Sequence, residues 1–504
     1  MTEPNSYNQI LRSSSIMGGA QGLNYIVGLL RVKIVAVLLG LSGVGLISLY
    51  QSAVSLVGTA SGLGIGSSGV REVAQAYGNQ EAANAAVTVR VLRRACWATG
   101  FLGWGLAAAL AKPISKWVFG TPEHAFAITV LGATLLMGSV SGGQMAVLQG
   151  VRRIGDLARA NVASMLINTV IMISLYVWLK QKGIVPALLA NAAVALAVSW
   201  WFARRVKVEP VALRWRDTLA GAGHLVGLGI AFMWSGLLTA GLDIATRTVI
   251  TREYGVDAAG YYQAAWALSG TFAGFILAAM GADFYPRLTK VIQDRVQATR
   301  IVNEQTEIGV LLALPGLLAT LAFAPLIIRI FYTADFLAGA ALLPWFLLGI
   351  FGRVVSWPLG FIQLAKGTGR WFMATETIFI AFQLGLVIWL VRRVGTVGAA
   401  YAFAAAYVLY TVGMLWVAST LIDFRWSRDV KRLLAISGVF LTATVTVRLW
   451  VPGWQAAVVG GSIAIVGASV SLRELAARLG TEHRLIRACA RVPGIRWVIG
   501  LRAK

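Results

Sequence analysis

Charged residues are scarce in this chain. Asp, Glu, Lys and Arg make up 13% of its 504 residues, whereas a soluble protein carries about 25%. Hydrophobic residues make up 58%, and the mean hydropathy is +0.74. Because a soluble fold could not bury so much apolar surface away from water, the composition predicts a polytopic membrane protein.

The residues that mark an enzyme, a metal site or a disulfide framework are also few. The two cysteines, Cys96 and Cys489, lie far apart, and the three histidines are scattered, so neither type has a metal-ligand spacing. The chain has no HExxH, no GxSxG and no paired-carboxylate motif. Its glycine-rich stretch 58–69 has no P-loop lysine, which favours helix packing over nucleotide binding. The sequence therefore predicts no cofactor, no metal and no catalytic residue.

Apolar runs of about 20 residues each predict fourteen transmembrane helices. Their approximate spans are 10–39, 44–68, 92–112, 125–150, 157–179, 184–203, 224–251, 257–284, 305–331, 336–365, 371–391, 397–421, 431–450 and 455–472. The connections that follow even-numbered spans, with their flanks, hold 22 Lys and Arg residues against nine on the other side. Since basic residues concentrate on the cytoplasmic side, both termini are predicted to be cytoplasmic. The net charge of +24 is explained by basic residues that orient the protein in the membrane, so no nucleic-acid partner is expected.

One stretch of sequence occurs twice. GVGLISLYQSAVSLVGT (43–59) and GVDAAGYYQAAWALSGT (255–271) are identical at eight of 17 positions, at an offset of 212 residues. The same offset relates 183–193 to 395–405. A constant offset of this size indicates a duplicated unit rather than chance likeness between apolar helices.

The predicted fold is therefore all-α, with two pseudo-symmetric six-helix lobes. The lobes are residues 1–205 and 206–425, followed by two additional transmembrane helices in 426–472 and a basic cytoplasmic amphipathic tail in 473–504. Six helices per copy keep both copies in the same orientation, as in parallel-repeat transporters. A cavity between two such lobes can open to either side of the membrane in turn.

Charges inside transmembrane helices are costly and mark bundle interiors or wet cavities. The candidates are Arg31, Lys33, Asp243, Arg247, Asp283, Glu307, Arg353 and Glu376. Asp243 and Arg247 are four residues apart and can pair on one helix face, so neutralisation and function both stay open for them. Lys33 can also extend to the membrane interface.

Arg353 lies near the middle of its span with no acidic residue within a helical turn. A planar guanidinium there suits a phosphate group, and the alternative is a structural pair with Glu376 or Asp243. Gln51, Tyr262 and Gln263 are candidates for hydrogen bonds to sugar hydroxyls, or for bonds between helices.

Two segments resemble a known family. The first segment, LLRVKIVAVLLGLSGVGLISLYQ (29–51), has a basic residue, a G-x-x-G-x-G turn and a glutamine. The second segment, GYYQAAWALSGTFAGFILAAMGADFYPRLT (260–289), starts with Gly-aromatic-x-Gln and ends with aromatic-Pro-Arg-Leu. They resemble the bacterial O-antigen and polysaccharide translocases of the multidrug/oligosaccharidyl-lipid/polysaccharide exporter superfamily. The resemblance covers residues 10–421; the two C-terminal helices and the basic tail depart from it.

The resemblance implies a flippase of the bacterial inner membrane. Its cargo would be an undecaprenyl-diphosphate-linked oligosaccharide, an O-antigen-like repeat unit, moved to the periplasmic leaflet. Arg31, Lys33, Arg247 and Arg353 would contact the diphosphate or acidic sugars. Membrane lipids and other glycan-assembly proteins are the expected partners.

A pure scaffold and a lipid-II-type flippase, which would differ from this expectation only in its substrate, stay open at this point, as do two further alternatives. A multidrug or cation antiporter of the same superfamily needs a carboxylate in its cavity; helix 1 offers none, but Asp243 in helix 7 does. A membrane glycan polymerase or ligase would carry a large periplasmic loop, whereas the longest internal loop here, 204–223, has about 20 residues.

Overall fold

The chain folds into a succession of long helices. The computed structural model describes residues 6–78, 82–151, 153–206, 211 and 214–479, and this described part contains no β-strand. Its helices are α1 (Ser6–Gly62), α2 (Ile65–Gly78), α3 (Ala82–Phe119), α4 (Ala125–Gly150), α5 (Ile154–Leu179), α6 (Ile184–Ala203), α7 (Trp215–Tyr254), α8 (Val256–Val291), α9 (Arg295–Ala322), α10 (Ala324–Phe331), α11 (Leu343–Ala365), α12 (Gly369–Val394), α13 (Val397–Ile422), α14 (Arg428–Trp450) and α15 (Gly453–Leu479). Two 3-10 stretches, Lys180–Gly183 and Ala334–Ala341, lie between them. The predicted all-α membrane fold is confirmed.

Nine stretches of the described chain are long and apolar enough to cross a membrane. Ile154–Ala203 contains two of the spans predicted from the sequence, and Val27–Gly62 overlaps two more. The remaining three predicted spans lie in α3, α7 and α8, which are 38, 40 and 36 residues long. Each of the fourteen predicted spans therefore overlaps helix, although 305–331 crosses the break between α9 and α10.

The first two predicted spans form one helix with a break. Within α1, Gly40 has φ +66° and ψ −166°, a backbone conformation that L-residues with a side chain rarely adopt. Gly40 is the first residue of the predicted turn, and the repeated sequence begins three residues later. The glycine thus lets the chain change direction without leaving the helical hydrogen-bonding pattern for long.

The described chain divides into two compact units. Unit 1 comprises Met1–Gly260 with Phe331–Thr333, and unit 2 comprises Tyr261–Ile330 with Ala334–Lys504. In unit 1, α7 packs on α1, α2 and α3, so helix 7 groups with the N-terminal helices although the sequence assigns it to the second lobe. The lobe boundary at 205/206 stays a prediction that concerns the repeat, not these packing units.

The order of helices recurs along the chain. Residues 82–203 form α3 to α6 and residues 295–422 form α9 to α13, with start points 213 residues apart. Neighbours recur too: α3–α4, α4–α6 and α5–α6 pack in unit 1, as α9–α11, α11–α13 and α12–α13 pack in unit 2. This order agrees with a duplicated unit of about that length, which remains a prediction.

The two additional C-terminal helices belong to unit 2 and pack on α9. Both α14 and α15 contact α9, and the Arg478 Nε of α15 donates to the Glu307 Oε2 of α9 at 2.7 Å. Glu307, predicted as a buried charge, is thereby neutralised. The structure moves one boundary, because α15 continues past residue 472 to Leu479; the rest of the predicted tail lies outside the described residues.

Candidate functional site

The repeated Tyr-Gln pair lies just after the Gly40 break in α1. Tyr50 is 4% exposed, and its hydroxyl lies 2.7 Å from the His124 Nδ1 at the start of α4. The His124 ring stacks on Phe119 at 3.9 Å between centroids. Burial lowers the pKa of His124 below its usual value, with Glu123 acting in the opposite direction, so the imidazole favours its neutral form. Gln51, by contrast, is exposed and can reach a ligand.

The second copy of the pair is divided in the same way. Tyr262 is also 4% exposed and packs edge-to-face on Phe346, with ring centroids 5.7 Å apart. Gln263 is half-buried. In both copies the tyrosine lies in the core and the glutamine lies nearer the surface, so the tyrosines serve packing and the glutamines are the more accessible of each pair.

An ion pair lies on α7 against the repeated stretch of α1. Arg247 is 5% exposed and pairs with the half-buried carboxylate of Asp243. The Ser52 Oγ donates to the Asp243 Oδ2 at 2.7 Å. Because the carboxylate balances the guanidinium in a buried setting, Arg247 offers a ligand less positive charge than its sequence position suggested.

Arg31 and Lys33 lie on α1 before the Gly40 break, and both are half-buried. The Lys33 ammonium donates to the backbone carbonyl of Tyr332, 299 residues away in sequence. Arg31 lies within electrostatic range of the Tyr176 hydroxyl on α5. Of these two cations, Lys33 is tied to the protein backbone.

In unit 2, Arg353 lies on α11 with its side chain exposed. Among the described residues its guanidinium forms no hydrogen bond or ion pair, but it acts electrostatically on Tyr407 and Tyr410 of α13. The Tyr410 hydroxyl donates to the Glu376 Oε1 at 3.0 Å. Glu376 is therefore engaged by a tyrosine, and the predicted alternative of an Arg353–Glu376 pair does not occur in this part of the chain.

Sequence patterns did not single out Ser52, His124, Tyr407 or Tyr410. Ser52 directly follows Gln51 in the repeated stretch, and the tyrosines are three residues apart on one face of α13, so both had a local signal. The contact of His124 with Tyr50 had no local sequence signal, since Tyr50 is 74 residues away.

The predicted Asp283 lies on α8, and its side chain lies outside the described part of the structure. No cluster of three metal-ligating side chains occurs in the described residues.

Known proteins resemble this chain in fold. A solved structure of the lipid II flippase MurJ in an inward closed conformation has a TM-score of 0.67 at 14% identity, covering 92% of this chain and 100% of that chain. An inward-facing multidrug resistance MATE family transporter of the MOP superfamily has a TM-score of 0.58 at 16% identity, covering 79% and 95%. At these identities the likeness shows a common fold.

Sequence comparison extends this likeness. The lipid III flippases of Escherichia coli (strain K12) and Shigella flexneri are each 26% identical over 403 residues, covering 76% of this chain and 92% of the relative. The family described as polysaccharide biosynthesis protein matches residues 34–340, more than half of the chain. As the resemblance in 29–51 and 260–289 predicted, this chain belongs to the polysaccharide biosynthesis protein family.

Proposed function

We propose that this chain is a flippase for an undecaprenyl-diphosphate-linked oligosaccharide. It carries an O-antigen-like repeat unit from the cytoplasmic to the periplasmic leaflet of the bacterial inner membrane. The curated relatives are flippases named for lipid III, and the structural neighbours are flippases and transporters. These comparisons support a transporter rather than an enzyme and a lipid-borne cargo, and the identity of the glycan is part of our proposal.

The observation that carries this proposal is Arg353. Its guanidinium is exposed in an apolar helix and has no acidic partner among the described residues. A cation in such a place is costly unless an anion or water compensates it. A diphosphate supplies that anion and accepts the two parallel N–H bonds of a guanidinium. The Tyr407 hydroxyl nearby can donate to a phosphate or sugar oxygen, whereas the Tyr410 hydroxyl already donates to Glu376 and can only accept from a sugar hydroxyl.

The proposed cationic contacts of the headgroup are Arg353 in unit 2 and Arg31 in unit 1, with Lys33 and Arg247 as weaker contributors. Lys33 already donates to a backbone carbonyl and Arg247 is balanced by Asp243. Gln51 and Gln263 contact the sugars in this proposal. Transport follows if the headgroup binds the inward-open and outward-open states differently, since equal affinity would shift nothing.

A cation antiporter is the second candidate, because MATE transporters share the fold. Its exchange site would be Asp243, the carboxylate on α7. That carboxylate is held by Arg247 and Ser52, and the positive guanidinium beside it disfavours a second cation. The site residues therefore favour an anionic cargo.

Flipping by Arg353 variants tests the proposal. An undecaprenyl-diphosphate oligosaccharide with an NBD label is placed in proteoliposomes, and membrane-impermeant dithionite reports the leaflet of the label. Arg353→Ala removes two charge-assisted bonds and is expected to slow flipping about tenfold to a hundredfold. Arg353→Lys keeps the charge without the fork and should fall between.

Arg432→Ala is the matched control, because Arg432 is exposed at the start of α14. It should flip like wild type. Wild-type rates in the folded Arg353→Ala variant would remove this residue from the cargo site and overturn the cationic-cavity proposal.

A further inference from the structure

A cavity in unit 1 lies apart from all the residues discussed so far. It has a volume of about 590 Å³ and lies among α3, α4 and α6. Its walls are mainly apolar, with Trp97 and Leu196 among them, and two cations, Arg93 and Arg204, line it as well. None of the described residues that line it is acidic.

Neither guanidinium has a carboxylate partner among the described residues. Neither forms a side-chain hydrogen bond or ion pair there; Arg93 has Tyr77 in electrostatic range. The Arg204 guanidinium lies over the Trp201 ring at 3.7 Å from its centroid, a cation–π contact that fixes its position. The neighbouring Arg94 differs, since it donates to the Thr218 Oγ1 at 2.8 Å. The cavity thus presents two positive charges that no carboxylate of the described residues compensates.

The surroundings place this cavity at a membrane surface. Trp97, Trp200 and Trp201 are 47%, 53% and 48% exposed, as expected for tryptophans at the level of lipid headgroups. Beyond Arg204, three further arginines surround the single carboxylate of Asp156: Arg153, Arg159 and Arg205. The positive charge therefore continues past the cavity mouth, on the side that the charge distribution predicts to be cytoplasmic.

We propose that this cavity binds an anionic phospholipid of the surrounding bilayer. Arg93 and Arg204 hold the headgroup phosphate, and an acyl chain lies along the apolar wall between α3 and α6. Basic pockets between transmembrane helices on the cytoplasmic side bind anionic headgroups in this way. None of the residues that line it is among the proposed cargo contacts, so the proposal stands whether or not the chain carries a lipid-linked glycan.

The test compares lipid binding by native mass spectrometry. The full chain is released from detergent with equal amounts of phosphatidylglycerol and phosphatidylethanolamine that have the same acyl chains. Wild type should retain phosphatidylglycerol preferentially. Each basic residue near the surface contributes roughly a fivefold preference, so R93Q/R204Q should lose most of it. The control R428Q/R432Q removes two exposed arginines of α14 and should keep it.

A second variant separates a built site from general charge attraction. Ala197→Phe fills the cavity, which Ala197 lines, while leaving both arginines in place. We expect it to lose the phosphatidylglycerol preference as well. An unchanged preference in folded Ala197→Phe or R93Q/R204Q would overturn the proposal. Equal competition by inorganic phosphate would also overturn it, because it would assign the pocket to a free anion instead of a lipid.

Discussion

Two arginines with similar sequence contexts differ in what they can do. Arg247 and Arg353 both interrupt apolar helices, but Arg247 is 5% exposed and paired with Asp243, while Arg353 is exposed and has no acidic partner among the described residues. A buried, balanced cation is structural first, because removing its partner leaves an uncompensated charge. An exposed cation in an apolar helix is the better ligand for an anion.

This difference predicts the stability of α7 variants. Asp243→Asn should destabilise the protein by about 3–5 kcal/mol, because it leaves the Arg247 charge buried without its counter-ion. Asp243→Asn/Arg247→Met removes both charges and should recover most of the loss. Thermal unfolding in detergent measures both variants. A double variant as unstable as the single one would show that the pair is not what holds this region together.

Two helices approach each other closely through glycines at Gly45 in α1 and Gly260 in α8. A Cβ added at Gly260 would overlap the backbone carbonyl of Leu41, and one at Gly45 would overlap the carbonyl of Val256. Backbone cannot move aside as a flexible side chain does, so the contact requires residues without a Cβ. The two glycines lie within the two repeated stretches, 43–59 and 255–271, so both copies supply a residue without a Cβ at this contact.

Gly260→Ala is therefore expected to lower the thermal unfolding midpoint by several degrees. Gly138→Ala is the matched control, because Gly138 in α4 has open space around its Cβ position, and it should leave the midpoint unchanged or slightly raised. The comparison uses the same substitution in two membrane helices. Equal midpoints for the two variants would contradict a backbone contact between α1 and α8.

Local patterns predicted the elements of this fold well. Apolar runs predicted helix in all fourteen spans, and the predicted glycine turn after residue 39 is the Gly40 break in α1. The i, i+4 spacing indicated the Asp243–Arg247 pair. What the sequence could not predict were contacts between distant residues, such as Ser52–Asp243 and Lys33–Tyr332, 191 and 299 residues apart. These contacts depend on which helices pack together, and helical periodicity carries no information about that choice.

At the scale of the whole molecule, the family of the chain and the charges inside its apolar helices both favour a transporter. The chain belongs to a polysaccharide biosynthesis family and has the fold of flippases and transporters. A transporter of this fold needs no enzyme motif, and the sequence has no HExxH, GxSxG or paired-carboxylate motif. Its excess of 24 positive charges suits both an anionic cargo and a defined orientation in the membrane.

The leaflet of the lipid-linked glycan tests this account most directly. In cells that lack the protein, the undecaprenyl-diphosphate oligosaccharide is extracted and its accessibility in spheroplasts to a membrane-impermeant glycosidase is measured. The account predicts that complete units accumulate on the cytoplasmic face, protected from the glycosidase, and that wild-type protein restores access. Normal glycan export, together with altered sensitivity to cationic drugs, would contradict it and favour the antiporter.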